Sequence, residues 1–261
     1  MDQSAPPVPA PGTPPPTPAQ KRRVLVEALG TFAVITVAAS LLYQVHALER
    51  YFSAIVAALF LYLPFWILGR DRLDHYGFTT HPLRLNLFLV AALTAAVLPL
   101  FTVGFVGWER VACLVRALRP LAPAACPAIS VGARGWLAQV SAHWALRLPP
   151  DFARLSLATF VVVALPEEFF FRGYLQGRLA EIWPARRTLL GAPVGLALVV
   201  ASALFALCHL AVQWQPTTLA VFFPGLVFGW MRARTGSVLA GSLFHAVCNL
   251  YIETLQRSMF G

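Results

Sequence analysis

Residues 157–172 read LATFVVVALPEEFFFR, a run in which charged residues interrupt an apolar helix. The first nine residues suit the hydrocarbon interior of a lipid bilayer, but two adjacent carboxylates and an arginine follow at once. A charged side chain at the centre of a membrane helix costs roughly 2.5–3.5 kcal/mol on insertion scales. The stretch therefore predicts a membrane helix whose Glu167, Glu168 and Arg172 face a polar interior and find partners there.

The spacing of these three residues distinguishes the two glutamates. On an α-helix Glu168 and Arg172 are four residues apart and share a face, so they can form an ion pair. Glu167 is turned about 100° away from Glu168, and Arg172 satisfies it less easily. The pattern predicts that Glu168 is neutralised and that Glu167 is free for chemistry. Taken alone, the segment is also compatible with a purely structural ion pair between helices.

Composition places the chain in a membrane. Of its 261 residues, 58% are hydrophobic and 12% are charged, whereas about 25% of a soluble domain is charged. The net charge is +9, and the basic residues lie in short loops between apolar runs. It therefore indicates membrane topology and contacts with anionic lipid headgroups, and it does not indicate nucleic-acid binding. The predicted fold is an all-α polytopic membrane helix bundle with seven to eight transmembrane spans.

The predicted spans follow the apolar runs. Six of them lie at residues 24–45, 51–68, 85–106, 189–212, 216–231 and 237–255. The fourth span holds the two glutamates, and its helix continues to about residue 179, with Arg178, Arg186 and Arg187 marking its cytoplasmic end. Residues 108–150 are predicted to be an extracytoplasmic loop with an amphipathic or re-entrant piece at 136–148. An eighth span within this loop is the alternative.

The first twenty residues differ in composition from the rest of the chain. Residues 1–20 are rich in proline and have nothing to bury, so they are predicted to be a disordered cytoplasmic tail. Residues 21–261 are predicted to form a single integral-membrane domain. Lys21, Arg22 and Arg23 precede the first span, which places the N-terminus in the cytoplasm. The near-absence of lysine and the abundance of Ala, Pro and Leu suggest a GC-rich bacterium, so we expect the bacterial inner membrane.

Cysteine usage gives one further expectation. Cys113 and Cys126 share the long loop at 108–150. They can form a disulfide if that loop faces an oxidising compartment.

Two later spans also carry polar residues. Phe205 and His209 share a helix face at a spacing of four, and so do His245 and Asn249. A single membrane histidine usually serves as a hydrogen-bond partner between helices. Because three separate spans carry polar residues, we expect these residues to face one shared polar cavity.

Such a cavity supports several functions. A carboxylate beside a neutral imidazole can take a proton from water, and a second histidine with an asparagine can donate to an oxyanion. A glutamate with two histidines is also a known zinc-hydrolase ligand set. A non-enzymatic scaffold or immunity-type protein, whose buried polar pairs only fix helix packing, is the alternative from another class. Proton-coupled transport is the third.

The three motifs together resemble the CPBP family, the group of CAAX prenyl-protein proteases and bacteriocin-processing proteins also called the Abi family. The motifs are Glu-Glu-x-x-x-Arg at 167–172, Phe-x-x-x-His at 205–209 and His-x-x-x-Asn at 245–249. Each is weak alone, but all three in this order are specific. The resemblance covers about residues 152–255 and implies an intramembrane endopeptidase with a multi-helix fold. A bacterial, myxosortase-like member is one hypothesis within the family.

The resemblance also implies a role for each motif residue. Glu167 and His209 would activate the water, and His245 and Asn249 would stabilise the oxyanion. The supporting residues would be Glu168, Arg172 and Phe205.

The resemblance leaves the cofactor open. We expect none, because Glu167, His209 and His245 lack the tight spacing of a zinc signature. A divalent metal such as zinc on these three residues is the alternative. The expected partners are a membrane-anchored protein or peptide substrate and the lipid bilayer.

Overall fold

The computed structural model describes residues 16–68, 73–121 and 145–260. Its helices confirm an all-α membrane protein. Nine α-helical segments lie in these ranges: α1 (Pro18–Tyr43), α2 (Phe52–Leu68), α3 (Leu83–Leu114), α4 (Phe152–Ala158), α5 (Leu165–Glu168), α6 (Gln176–Ile182), α7 (Leu196–Gln213), α8 (Phe222–Thr235) and α9 (Leu239–Phe260). Short 3₁₀ turns occupy His46–Tyr51, Arg116–Leu121 and Pro216–Val221.

The first helix begins earlier than predicted. Thr17 caps α1: its hydroxyl accepts from the Gln20 amide, and the Gln20 side chain accepts from the Thr17 amide. Such a capping box fixes a helix start, and Pro18 suits the first helical position because its missing N–H is not needed there. The predicted tail at 1–20 is therefore wrong at its end, where residues 18–20 are helical. Its first fifteen residues lie outside the described residues.

The helix of the fifth predicted span, at 189–212, begins later than predicted. A two-stranded antiparallel hairpin, β1 (Arg187–Leu189) with β2 (Ala192–Val194), occupies the start of the predicted span at 189–212. Leu190 and Gly191 connect the strands with positive φ angles of 49° and 77°, as a two-residue hairpin turn requires. The helix α7 starts only at Leu196.

Four helical segments of the described part are long and apolar enough to cross a bilayer: Pro18–Tyr43, His46–Leu68, Leu83–Leu114 and Leu196–Gln213. They correspond to four of the predicted spans, and the total of seven to eight stays a prediction. The loop piece predicted at 136–148 lies outside the described residues except for 145–148, which have no regular secondary structure. Cys113 is disulfide-bonded, while Cys126 lies outside the described residues.

The residues form two compact units. The first takes its residues from Met1–Val90 and Phe160–His245. Its core is built on three consecutive buried phenylalanines, 169–171. The Phe170 ring stacks on Phe60 of α2 at 5.0 Å between centroids, and the Phe171 ring meets Phe205 of α7 at 4.9 Å. These aromatic contacts fix the rotation of the glutamate-bearing helix against its neighbours.

The second unit takes its described residues from Ala91–Thr159 and Ala246–Gly261. Within it, the hydroxyl groups of Thr102 on α3 and Tyr251 on α9 are hydrogen-bonded. The Arg147 amide donates to the Ser258 hydroxyl at 3.0 Å. These bonds hold the C-terminal part of α9 against its neighbours in this unit.

Candidate active site

The glutamates lie in a helix of mixed geometry. Helical structure is continuous over 152–182, but π-helical turns at Thr159–Ala164 and Phe169–Leu175 flank the single α-turn Leu165–Glu168. Pro166, the second residue of that α-turn, lacks the N–H that regular helical bonding needs. π-turns inside helices are frequent at functional sites. We call residues 152–182 the motif helix.

The predicted ion pair is confirmed. Arg172 Nη1 lies 3.0 Å from Glu168 Oε1, and both side chains are fully excluded from solvent. Arg172 Nη2 also donates to the backbone carbonyl of Gly225 on α8 at 3.3 Å. The guanidinium carbon lies 4.1 Å from the centre of the Phe205 ring and 5.2 Å from that of Phe228. The charge of Glu168 is therefore balanced, and its balancing cation is held from several sides.

His245 joins the two glutamates. Its Nδ1 lies 3.0 Å from Glu168 Oε1, and its Nε2 lies 3.9 Å from Glu167 Oε2. An ionised carboxylate only accepts hydrogen bonds, so His245 donates from Nδ1 to Glu168. The ring stacks on Phe228 at 4.9 Å with an interplanar angle of 16°. One imidazole thus presents a different nitrogen to each carboxylate.

Glu167 is the less satisfied carboxylate, as its spacing predicts. The relative solvent exposure of its side chain is 17%, whereas the side chain of Glu168 is fully buried. The Oε2 atom of Glu167 is buried and has no hydrogen-bond partner among the described residues. A buried acceptor left unpaired costs about 1–3 kcal/mol. An acceptor in this state is suited to take a proton from a small polar molecule.

The second histidine is oriented by its own helix. His209 Nδ1 lies 3.0 Å from the Phe205 carbonyl oxygen, which can only accept, so Nδ1 carries the proton. The Phe205 ring lies 4.4 Å from the His209 ring and 6.0 Å from the His245 ring. Phe205 therefore lies beside both imidazoles. Among the described residues no hydrogen bond joins His209 to Glu167, and their joint role stays a prediction.

Asn249 lies four residues after His245 on α9 and belongs to the second unit. There it lines a cavity of about 400 Å³. The other polar residues of its wall are Thr159, Glu253 and Arg257. The role of Asn249 in stabilising an oxyanion also stays a prediction.

The site residues do not form a metal-ligand set in this arrangement. No group of three or more His, Cys, Asp or Glu side chains that could hold a metal occurs within 16–68, 73–121 and 145–260. The expectation of a metal-free reaction stays a prediction.

Sequence reasoning missed a polar ridge and its glycines. Gln176 extends the spacing of four from Glu168 and Arg172, and its Nε2 donates to the Gly229 carbonyl at 3.0 Å. Both Gly225 and Gly229 lie on α8. The repeated spacing of four indicates that these three residues share a helix face. No local sequence pattern indicates that the glycines of α8 lie against that face.

The prediction that Arg178 marks the cytoplasmic end of a span is incomplete. Arg178 is buried between two carboxylates, pairing with Glu27 of α1 and at 2.7 Å with Glu181. The Tyr76 hydroxyl donates to Glu181. Burial and the neighbouring Glu181 carboxylate raise the pKa of the Tyr76 phenol to about 12. These four residues form an ion-pair network that fastens α1 and the 73–78 turn to the motif helix.

The comparison with protein families agrees with the motifs. Residues 149–251 match the model of the type II CAAX prenyl endopeptidases, described as Rce1-like. The matched segment contains all the predicted site residues. Neither a curated protein nor a solved structure matches the chain. The match confirms the resemblance but not the myxosortase-like grouping. Over residues 149–251, this integral membrane protein is therefore similar to the CAAX prenyl endopeptidase (CPBP) family.

Proposed function

We propose that this chain is an intramembrane endopeptidase that hydrolyses a peptide bond of a membrane-associated protein or peptide. Glu167 acts as the general base. The observation that carries the proposal is the unequal environment of the two glutamates around His245. Glu168 Oε1 accepts from Arg172 and from His245 at 3.0 Å each, although its Oε2 is unpaired, whereas Glu167 accepts no hydrogen bond among the described residues.

The proposed reaction begins with water. Glu167 takes one proton from the water molecule while the water oxygen attacks the carbonyl carbon of the scissile bond. The carbonyl electron pair moves to its oxygen and gives a tetrahedral oxyanion. When the carbon–nitrogen bond breaks, the leaving nitrogen receives the proton from Glu167. The products are a carboxylic acid and an amine.

His209 is proposed to help hold the water. Its Nδ1 proton is committed to the Phe205 carbonyl, so the neutral ring offers the Nε2 lone pair as an acceptor. A water that donates to both Glu167 and His209 would be held with a lone pair free for attack. The structure supports the tautomer that this role requires.

The oxyanion is proposed to be stabilised by Asn249 and His245. The amide of Asn249 supplies N–H donors without any change of protonation. His245 already donates from Nδ1 to Glu168, so donation from Nε2 requires a second ring proton. The contribution of His245 therefore depends on its protonation, and that of Asn249 does not.

The setting of the reaction is also proposed. The membrane is the bacterial inner membrane, and the N-terminus is cytoplasmic because Lys21, Arg22 and Arg23 precede the first span. The substrate is held near the membrane by its own anchor or by apolar residues. The four long apolar helical segments and the family match support this setting.

Protein termini provide the test. Membrane and secreted proteins are compared in cells that carry wild type, Glu167→Gln, Glu49→Gln or no gene, at matched expression. Glu49→Gln is the control, because it removes an exposed carboxylate in a 3₁₀ turn. We expect the same set of termini to disappear in Glu167→Gln and in the deletion, and to persist in Glu49→Gln.

The scaffold alternative gives the opposite pattern. If the deletion has a phenotype and Glu167→Gln matches wild type in both termini and phenotype, Glu167 is not a catalytic base. The buried pairs of Glu168, Arg172 and His245 then act only in helix packing.

A further inference from the structure

The side chains of the polar ridge on the motif helix lie against glycines of two other helices. Glu168, Arg172 and Gln176 are spaced four apart and are all buried. Gly225 and Gly229, also four apart, face the ridge from α8 and accept hydrogen bonds from Arg172 Nη2 and Gln176 Nε2. The two hydrogen bonds are successive rungs of one ladder between the motif helix and α8.

The glycines are needed for their missing side chains as well as for their carbonyls. A Cβ atom at Gly225 would lie 3.1 Å from Arg172 Nη2 and 3.3 Å from Ser202 Cβ. At Gly229 it would lie 2.8 Å from Gln176 Oε1 and 2.9 Å from Leu198 Cγ. Cβ atoms rarely approach other atoms this closely, so any side chain at these positions displaces the ridge.

The same relation occurs at Glu168. A Cβ atom at Gly241 of α9 would lie 3.1 Å from Glu168 Oε2. Each of the three ridge side chains thus lies against a glycine. One glycine would be an ordinary feature of close helix packing. Here every side chain of the ridge has a glycine beside it, so the glycines follow the positions of the ridge residues.

The ladder leads to the proposed catalytic base through three hydrogen bonds. Gly225 fixes Arg172, Arg172 Nη1 fixes Glu168 Oε1, and the same oxygen receives His245 Nδ1. This last bond leaves Nε2 as the His245 nitrogen that faces Glu167 at 3.9 Å. Displacing Arg172 is therefore expected to weaken its bond to Glu168 and, through that oxygen, the bond that holds His245 Nδ1.

We propose that Gly225 and Gly229 are positioning residues of the endopeptidase. Gly225 fixes Glu168 through Arg172, and so the orientation and tautomer of His245, while Gly229 holds the next turn of the same helix face through Gln176. This inference rests on the proposed function. The glycines touch no reacting atom and act only through the ridge. Displacing the ridge is expected to misplace Glu168 and His245 while the helices stay assembled.

The first test reads His245 without any substrate. Protein labelled with ¹⁵N-histidine is purified in detergent micelles, and the His245 signals are identified by their loss in His245→Gln. In wild type we expect Nδ1 to be the protonated nitrogen. In Gly225→Ala we expect the two nitrogen shifts to move towards each other as the tautomers mix. Gly30→Ala is the matched control, because a Cβ at Gly30 meets no atom within 4 Å.

The second test measures cleavage by pulse-chase of one membrane protein whose terminus depends on Glu167. A misplacement on the order of an ångström can reduce a rate about a hundredfold, so we expect Gly225→Ala to reduce cleavage by about tenfold or more. Gly30→Ala is expected to retain the wild-type rate. Thermal unfolding in detergent, measured in parallel, separates lost positioning from lost folding.

A gentler variant keeps the inference testable if Gly225→Ala does not fold. Gln176→Met removes the rung to Gly229 without adding an atom at either glycine, and we expect a smaller change of the His245 signals and of cleavage in the same direction. Wild-type signals and a wild-type rate in the folded variants would overturn the inference. If no terminus depends on Glu167, the proposed function fails, and the His245 signals still decide whether the ladder exists.

Discussion

His245 Nδ1 donates to Glu168 Oε1 across 3.0 Å and connects two helices whose residues are 77 positions apart in the chain. The adjacent residue Glu167 faces the other nitrogen of the same ring at 3.9 Å. Two neighbouring glutamates of identical chemistry are thereby given different surroundings. Glu168 accepts hydrogen bonds from Arg172 and His245, and Glu167 accepts none among the described residues.

Replacing each glutamate by glutamine should separate the two roles. Glu167→Gln removes the proposed base and is expected to lower the cleavage rate by about 10²–10⁴-fold with little change in thermal unfolding. Glu168→Gln leaves the buried Arg172 without its counter-charge, so we expect a lower unfolding temperature as well as slower cleavage. Cleavage rate and unfolding temperature are measured on the same detergent-purified protein. A stable but inactive Glu168→Gln beside an active Glu167→Gln would reverse the assignment.

Arg172 should be more costly to remove alone than together with the charge of Glu168. Arg172→Met strands a buried carboxylate, and breaking a buried ion pair costs about 3–5 kcal/mol. The double variant Glu168→Gln with Arg172→Met leaves no stranded charge, and its amide oxygen can still accept from His245. We expect the double variant to be the more stable of the two in denaturant unfolding. A double variant as unstable as Arg172→Met would show that packing around the guanidinium, and not charge, decides stability.

Activity should survive removal of metal ions. Among the described residues no group of three side chains is placed to hold a metal ion. Dialysis of the purified protein against a chelator is therefore expected to leave the cleavage rate unchanged, with metal analysis run alongside. If chelation stops cleavage and zinc restores it, Glu167, His209 and His245 become the first candidates for its ligands.

Alkaline pH should weaken the network around Tyr76. Burial beside Glu181 raises the pKa of Tyr76 to about 12, whereas an unfolded tyrosine titrates near 10. The raised pKa means that the stabilisation is complete below about pH 10 and is lost as the pH rises towards 12. We expect the unfolding temperature of wild type to fall more steeply across this window than that of Tyr76→Phe. Parallel curves for the two proteins would contradict this contribution.

The sequence was sufficient for the fold class and for the first ion pair. Apolar runs as long as a bilayer is thick can only be helices, because hydrocarbon offers no partner for backbone polar groups. Four of the predicted spans agree with long apolar helical segments. The pairing of Glu168 with Arg172 followed from helical spacing alone, since residues four apart share a face in any helix.

Helix ends were predicted less well, because local bonds set them. The capping box of Thr17 extends α1 into the expected tail, and the hairpin at 187–194 delays α7. Both features depend on one or two residues and leave the average hydrophobicity of the segment unchanged. A reading based on apolar runs therefore misses them.

What the sequence by itself determined was the chemistry: a doubled glutamate, two histidines and an asparagine on apolar helices, in an order shared with the CAAX prenyl endopeptidases. Only the tertiary structure decided which of these groups meet. It placed His245 against both glutamates, turned His209 towards its own helix, and set Gly225 and Gly229 against the ridge. The reason is that helical periodicity fixes neighbours within one helix, whereas contacts between helices depend on packing and rotation that no local pattern records.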